Sequence, residues 1–246
     1  MVLYCDLSYS GGCDGNFNND LWKKKNTENG GRMTDYAIEA ENACKQFKDN
    51  LALKHVDLKV SAGTICGLIG RNGSGKTVLM KCICGLMPLT SGEIKVNGKT
   101  IGKDVEIPES VGVIIETPGF LNSFSAYSNL KFLADISGKA DKQAIRAAIK
   151  SVGLDPDSKK HVGRYSLGMR QRLGLAQAIM EDPDILVLDE PMNGLDKSGV
   201  EDMRRYLLDL KDEGKTILIA SHSTEDIQIL CDCVFEMDKG TLSQIK

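Results

Sequence analysis

The sequence predicts an α/β fold, and three observations carry that expectation. Gly70-Arg71-Asn72-Gly73-Ser74-Gly75-Lys76-Thr77 fits the pattern G-x-x-x-x-G-K-[ST] in full. It lies between an apolar, strand-like run from Thr64 to Ile69 and a helical stretch from Thr77 to Met87 that stops before Pro88. Further on, short apolar runs alternate with segments of helical period as far as the C-terminus.

Strand, loop and helix in this order suit a phosphate-binding loop. Glycines let successive backbone N–H groups turn toward one point, and the helix N-terminus adds partial positive charge there. Gly70, Asn72, Gly73, Ser74, Gly75, Lys76, Thr77 and Val78 are therefore the expected nucleotide-binding residues. Lys76 is expected to reach the β- and γ-phosphates of ATP, and the Thr77 hydroxyl to ligate Mg²⁺.

Residues 1 to about 35 show neither helical nor strand periodicity and are expected to be disordered. The alternative is that they are not native: Gly30-Gly31-Arg32 before Met33 matches a translated ribosome-binding site, with Met33 the true start. From Tyr36 the chain turns strand-like, with Ile38 and Ala40 on alternate positions. After a turn at Lys48-Asp49-Asn50, the segment Val56–Val60 alternates in the same way, so the two are expected to pair antiparallel beside the nucleotide-binding sheet. Phe47 closes the first strand, either as a platform for a base or as an ordinary strand-end aromatic.

Past the loop helix, Asn97-Gly98 marks a hairpin spanning Gly92 to Ile101. Val111–Glu116 reads as a buried strand that gives way to a loop at Pro118-Gly119. Helices are expected over Ala126–Ile136 and Asp141–Val152, broken by Gly138 and Gly153, which makes the centre of the chain a helical insertion. A helix opened by Tyr165-Ser166 runs to about Met180. The strand Ile185–Leu188 then ends in Asp189-Glu190. Helix Ser198–Leu210, strand Thr216–Ala220, a helix from Ser223 to about Cys231 and strand Val234–Met237 complete the pattern.

Composition narrows the function. The 246 residues suit one α/β domain with a modest insertion, and 41% hydrophobic content allows a substantial core. A net charge of −3, from 31 basic and 34 acidic residues, provides no field for nucleic acid or an anionic membrane surface. No apolar run approaches the roughly 18 to 20 residues that span a bilayer, and the N-terminus lacks a basic start before an apolar core, so a cytosolic protein is expected. Cys82 and Cys84, like Cys231 and Cys233, are separated by a single residue. Structural zinc sites usually separate paired cysteines by about two to four, and on a helix i and i+2 point apart, so core packing is expected.

Read together and in order, Phe47, Gly70–Thr77, Glu116, Ser166-Leu167-Gly168-Met169, Asp189-Glu190, Asn193-Gly194-Leu195-Asp196 and His222 resemble the ATPase subunit of an ATP-binding cassette (ABC) transporter. The resemblance covers Ala37 to the C-terminus. It implies a P-loop NTPase fold over 36–246, with a RecA-like core, an antiparallel β subdomain and a helical subdomain at about 117–178. Phe47 falls at the adenine-stacking position, Asp189 with Thr77 at the Mg²⁺ site, Glu190 at the position that takes or orients the proton of the attacking water, and His222 at the γ-phosphate switch. Glu116 stands at the nucleotide-sensing loop, where it is a further candidate Mg²⁺ ligand. Ser166 and Gly168 open a helix that in the family faces ATP on a second chain, so a homodimer around two MgATP is implied, with Asp196 at the seam.

Two positions depart from the family, which usually has Gln where Glu116 stands and Ser-Gly-Gly-Gln where Ser166-Leu167-Gly168-Met169 stands. These changes, and the Ile-Ile-Glu-x-Pro-Gly-Phe run from Ile114 to Phe120, resemble bacitracin-type and lantibiotic-immunity exporter ATPases. That implies an ATP-hydrolysing subunit on the cytoplasmic face of the membrane. It would energise a separate integral membrane permease that exports an antimicrobial peptide, antibiotic or other hydrophobic cargo. Phe120, Phe124 and Tyr127 either contact that permease or pack into the insertion. Two alternatives stay open. One is a non-transport ABC ATPase that remodels a ribosome or nucleic-acid complex, and the other is a regulatory module that binds ATP without turnover.

Overall fold

The computed structural model describes residues 36–116 and 119–246. The expectations for residues 1–35, Met33 included, and for Pro118 lie outside the described residues. In chain order the strands are β1 (Tyr36–Phe47), β2 (Asn50–Ser61), β3 (Ile65–Ile69), β4 (Ser91–Val96), β5 (Lys99–Thr100), β6 (Val111–Ile114), β7 (Ile185–Asp189), β8 (Thr216–Ala220), β9 (Cys233–Asp238) and β10 (Thr241–Gln244). The helices are α1 (Lys76–Ile83), α2 (Ala126–Ser137), α3 (Lys142–Ser151), α4 (Leu167–Ile179), α5 (Lys197–Asp212) and α6 (Thr224–Leu230).

The strands form two sheets, as the sequence predicts. One is antiparallel in the order β2-β1-β4-β5, and its hairpin turns at Asn97-Gly98, where both residues take the positive φ that a two-residue turn of this kind demands. The other has the order β10-β9-β3-β8-β7-β6 and is parallel from β9 through β6. Its central strands are buried on both faces, which is why Ile185–Leu188 and Ile217–Ala220 read as unbroken apolar runs. Because side chains alternate along a strand, the sheet divides its residues between two cores. Ile65, Leu186, Leu188, Ile217 and Ile219 pack under α2 to α6, whereas Cys66, Leu68, Ile185, Val187 and Leu218 face α1 and the antiparallel sheet. Cys82 and Cys84 lie in this second core, and burial pushes their thiols up to about 11 and about 12.

Two elements differ from the sequence reading. The loop helix α1 ends at Ile83, short of Met87, because Gly85 adopts φ +70° and closes it. Gly85 N–H donates to Cys82 O and Leu86 N–H to Lys81 O, a Schellman pair, and a Cβ at Gly85 would lie 2.3 Å from Glu106 O. Strand β10 has no counterpart in the sequence reading. It is an edge strand with mostly exposed polar residues, so it carries little apolar alternation, and its pairing with β9 holds it in place.

Helix α4 reaches the sheet at β6, where a Cβ on Gly112 would come within 2.0 Å of Ala178 O and 2.7 Å of Leu186 Cδ2. Gly112→Ala is therefore expected to destabilise the fold by about 2 to 3 kcal/mol through overpacking against backbone. A thermal midpoint unchanged within roughly 2 °C would contradict this close approach.

Candidate functional site: a nucleotide cleft at the carboxyl edge of the parallel sheet

Parallel strands bring their carboxyl ends to one edge, and in open α/β sheets ligands bind there. Here β3 runs into the glycine loop, β7 into Asp189-Glu190, β8 into Ser221-His222 and β6 toward Glu116. They open on a cleft of about 810 Å³. Of the residues singled out from the sequence, Phe47, Asn72, Gly73, Ser74, Gly75, Lys76, Thr77, Val78, Glu116, Asp189, Glu190 and His222 all line it. Gly70, Ser166 and Gly168 do not.

Gly70 serves the cleft from behind. It takes φ +141°, and a Cβ there would stand 2.2 Å from Met237 O, so only glycine lets the loop settle on β9. Gly73 takes φ +77° with nothing within 4 Å of a Cβ, which leaves its backbone open to a ligand. Lys76 is buried, and its Nζ donates to Gly70 O at 2.6 Å and Arg71 O at 3.2 Å. Burial holds its pKa below the ordinary lysine value, while Glu190 and Asp189 pull it back up.

Thr77 Oγ1 donates to Asp189 Oδ2 at 2.9 Å, so a hydroxyl and a carboxylate from α1 and β7 meet at the loop. Hard oxygen donors of this kind fit Mg²⁺. The buried Ser74 hydroxyl, without a hydrogen-bond partner among the described residues, adds a polar group suited to a phosphate oxygen. The residues present thus fit a metal–triphosphate pair.

Glu190 adopts φ +50°, an uncommon conformation for a side chain of its size. Three hydrogen bonds hold it there. Its N–H donates to Ala220 O at 3.0 Å, and its carbonyl accepts from Gln171 Nε2 at 3.1 Å and Asn193 N–H at 3.0 Å. The carboxyl Oε1 is buried and lies 3.2 Å from His222 Nε2, and it has no hydrogen-bond partner among the described residues. Burial raises the Glu190 pKa and Asp189 adds to the rise, against the opposing pull of His222 and Lys76. The result is a carboxyl group that gains a proton more readily than an exposed one, beside a phosphate loop.

Glu116 enters the cleft at φ +60° with its carboxylate on Lys81 Nζ at 2.6 Å, whereas Thr77 and Asp189 pair with each other. Phe47 carries Lys45 Nζ 5.2 Å from its ring centroid, and that ammonium is itself fixed on Pro88 O at 2.6 Å. Ser166 caps α4 by accepting from Met169 N–H at 3.2 Å, and a Cβ on Gly168 would meet Gly194 O at 2.9 Å. Leu167, 55% exposed, lies over Gly194, where a Cβ would fall 2.3 Å from its Cδ2, and it also lines the cleft. The extra bulk at this position is therefore in contact with the loop that follows Glu190. Phe120 and Tyr127 pack on the helical core, and Phe124 meets Phe132 edge-on at 5.1 Å.

Sequence reasoning missed Gln171 and the β9–β10 turn. Gly240 N–H donates to Ser74 O and Gly240 O accepts from Lys54 N–H, both at 2.8 Å, and Lys239 lines the cleft. Asp238-Lys239-Gly240 after an apolar strand is a turn signal, but nothing local says that the turn docks on the phosphate loop. Gln171 carries no local signal of its bond to Glu190.

A glycine loop that holds a buried lysine, a hydroxyl–carboxylate pair for a hard cation and a desolvated glutamate beside a histidine together make an ATPase of the P-loop class. Residues 53–193 match the family model described as ABC transporter. The chain is 44% identical over 205 residues to an uncharacterized ABC transporter ATP-binding protein, YybJ of Bacillus subtilis (strain 168), covering 83% of this chain and 94% of that one. It is 41% identical to the bacitracin transport ATP-binding protein BcrA of Enterococcus faecalis, over 85% of this chain and 69% of the relative. It is 35% identical to the lantibiotic transport ATP-binding protein SrtF of Streptococcus pyogenes, over 83% and 88%. Among solved structures, the ATP-binding cassette MJ0796, a dimer bound to ADP and Pi, superposes with a TM-score of 0.76 at 19% identity, over 85% of this chain and 99% of that one. The chain belongs to the ABC transporter family and is an ATP-binding, ATP-hydrolysing subunit.

Proposed function

We propose that this subunit hydrolyses MgATP in the cleft described above and drives a separate membrane permease that exports a peptide antibiotic. The observation that carries the chemistry is the meeting of Lys76, the Thr77–Asp189 pair and the Glu190–His222 pair at one sheet edge. Lys76 and the loop N–H groups hold the phosphates, with Phe47 at the base and Gly73 giving close backbone approach. Thr77 and Asp189 would hold Mg²⁺, which when bound would supply charge neutralisation on the phosphate oxygens. Glu190 takes the proton of the water whose oxygen bonds to the γ-phosphorus, as the bond to the ADP oxygen breaks. His222 faces the γ-phosphate, and Glu116 reports nucleotide through its link to Lys81 on α1.

Ser166 and Gly168 lie outside the lining of this chain's own cleft, at a capped helix N-terminus that suits an anion. That supports a head-to-tail homodimer in which α4 of each chain completes the other's site. Among the described residues no helix is long and apolar enough to cross a membrane. In this reading the transport path belongs to a separate permease, and the subunit works on the membrane's cytoplasmic face. The names of the bacitracin and lantibiotic transport relatives support a peptide-antibiotic cargo.

Cells that express the chain with a multi-span permease are expected to tolerate several-fold more bacitracin or lantibiotic, and to lose that tolerance with Glu190→Gln. Unchanged tolerance together with salt-dependent binding to ribosomes or RNA would favour the remodelling alternative instead.

A further inference from the structure

We infer that Arg204 and Asp226 are positioning residues for ATP hydrolysis: they brace the Ser221–Ser223 segment so that His222 stays against Glu190. This rests on the roles of Glu190 and His222 given above and adds the machinery that holds one to the other.

His222 is half exposed, at the tip of a short link between β8 and α6, and its imidazole contact is Glu190 Oε1. A side chain so placed owes its position to its backbone. That backbone is fastened on both sides. Ser221 Oγ accepts from Ser223 N–H at 3.1 Å and donates to Asp226 Oδ2 at 3.3 Å, while Ser223 Oγ accepts from Asp226 N–H at 3.2 Å. Both serines thus converge on Asp226. Its other carboxylate oxygen accepts from Arg204 Nε at 2.7 Å and lies 2.5 Å from an Arg204 terminal nitrogen, which also meets Glu225 Oε2 at 3.0 Å.

The side chains of Asp226 and Arg204 are 4% and 12% exposed. Burying such a pair costs desolvation that apolar residues of equal volume would not incur, so it is poor value as mere packing. What a forked guanidinium on a carboxylate supplies is fixed geometry. Arg204 lies on α5, about two turns beyond Asp196, whose carboxylate caps that helix by accepting from Gly199 N–H at 2.9 Å. One ion pair therefore joins the helix that begins at the Asn193–Asp196 loop to the helix that begins after His222. A displacement of about 1 Å at a reacting group costs on the order of 10²-fold in rate, which sets the size of the expected effect.

The test compares Asp226→Asn, Ser221→Ala and Arg204→Lys with His222→Ala, reading kcat, KM for ATP, nucleotide Kd and thermal midpoint. Asp226→Asn is expected to lower kcat by about 10- to 100-fold with KM and Kd within roughly twofold of the parent. Ser221→Ala leaves the buried ion pair intact, so it tests the link without endangering the fold, and should lower kcat several-fold. Arg204→Lys should retain more activity than Arg204→Met. Parent-like kcat in both Asp226→Asn and Ser221→Ala, with His222→Ala inactive, would overturn the brace and leave the histidine's role standing. A kcat that falls only in step with the loss of folded, nucleotide-binding protein would also overturn it. Full activity in His222→Ala would instead remove the reading on which the brace rests.

Discussion

Glu190→Gln is expected to lower ATP turnover by at least about 10²-fold while ATP still binds, the scale of a lost general base. Glutamine keeps the length and shape of the side chain, so the three backbone hydrogen bonds that hold residue 190 at φ +50° survive. What is lost is the proton acceptor. The carboxyl Oε1 is buried, has no hydrogen-bond partner among the described residues and lies 3.2 Å from His222 Nε2, so its capacity to accept is unspent. With cleavage stopped and nucleotide held, the two-chain complex should accumulate. Phosphate release and size-exclusion chromatography with MgATP measure the two effects. Near-parent hydrolysis would mean that another group takes the proton.

Lys76→Ala should weaken nucleotide binding by about 10- to 100-fold, the loss expected for one or two charge-assisted hydrogen bonds. Two things are removed at once: the buried cation, and the donor that Gly70 O and Arg71 O share. The loop therefore loses both its charge and part of its internal hold. Titration with a fluorescent ATP analogue reads the affinity, and a thermal midpoint close to the parent's separates site loss from unfolding. Parent-like affinity in a folded variant would show that the phosphates are held elsewhere.

The two variants probe parts of the site that were unequally visible in the chain. Lys76 stands in a contiguous motif, whose strand–loop–helix setting is written in eight residues and their flanks. Asp189-Glu190 was visible as an acidic end on an apolar strand. His222 had no local mark apart from its place after such a strand, and only the ordered set of motifs made it stand out. The helix cap at Ser166 is similarly local, its side chain accepting from an N–H three residues on, whereas Asp196 caps a helix that the sequence predicts to begin two residues later, at Ser198.

Other features depend on partners far along the chain. Gly85 lies inside the helix that the sequence predicts, but in the fold Glu106 O crowds it, and β10, for which the sequence carries no strand signal, is held by its pairing with β9. Glu116 found Lys81, 35 residues away, and Leu167 found the backbone of Gly194. Gln171, Lys239 and the Arg204–Asp226 brace are polar residues in ordinary helical or turn contexts, and periodicity assigns them to no partner.

By itself the sequence determined the α/β alternation and the phosphate loop, because these rest on local backbone conformation and on apolar period, which are set within a few residues, and the order of its motifs carried the resemblance to the family. The tertiary structure decided which polar side chains meet: Thr77 with Asp189, Glu190 with His222, Arg204 with Asp226. A hydrogen bond or ion pair needs its two groups within about 3 Å, and for residues 22 to 112 positions apart only the packing of the sheet and its helices brings them there.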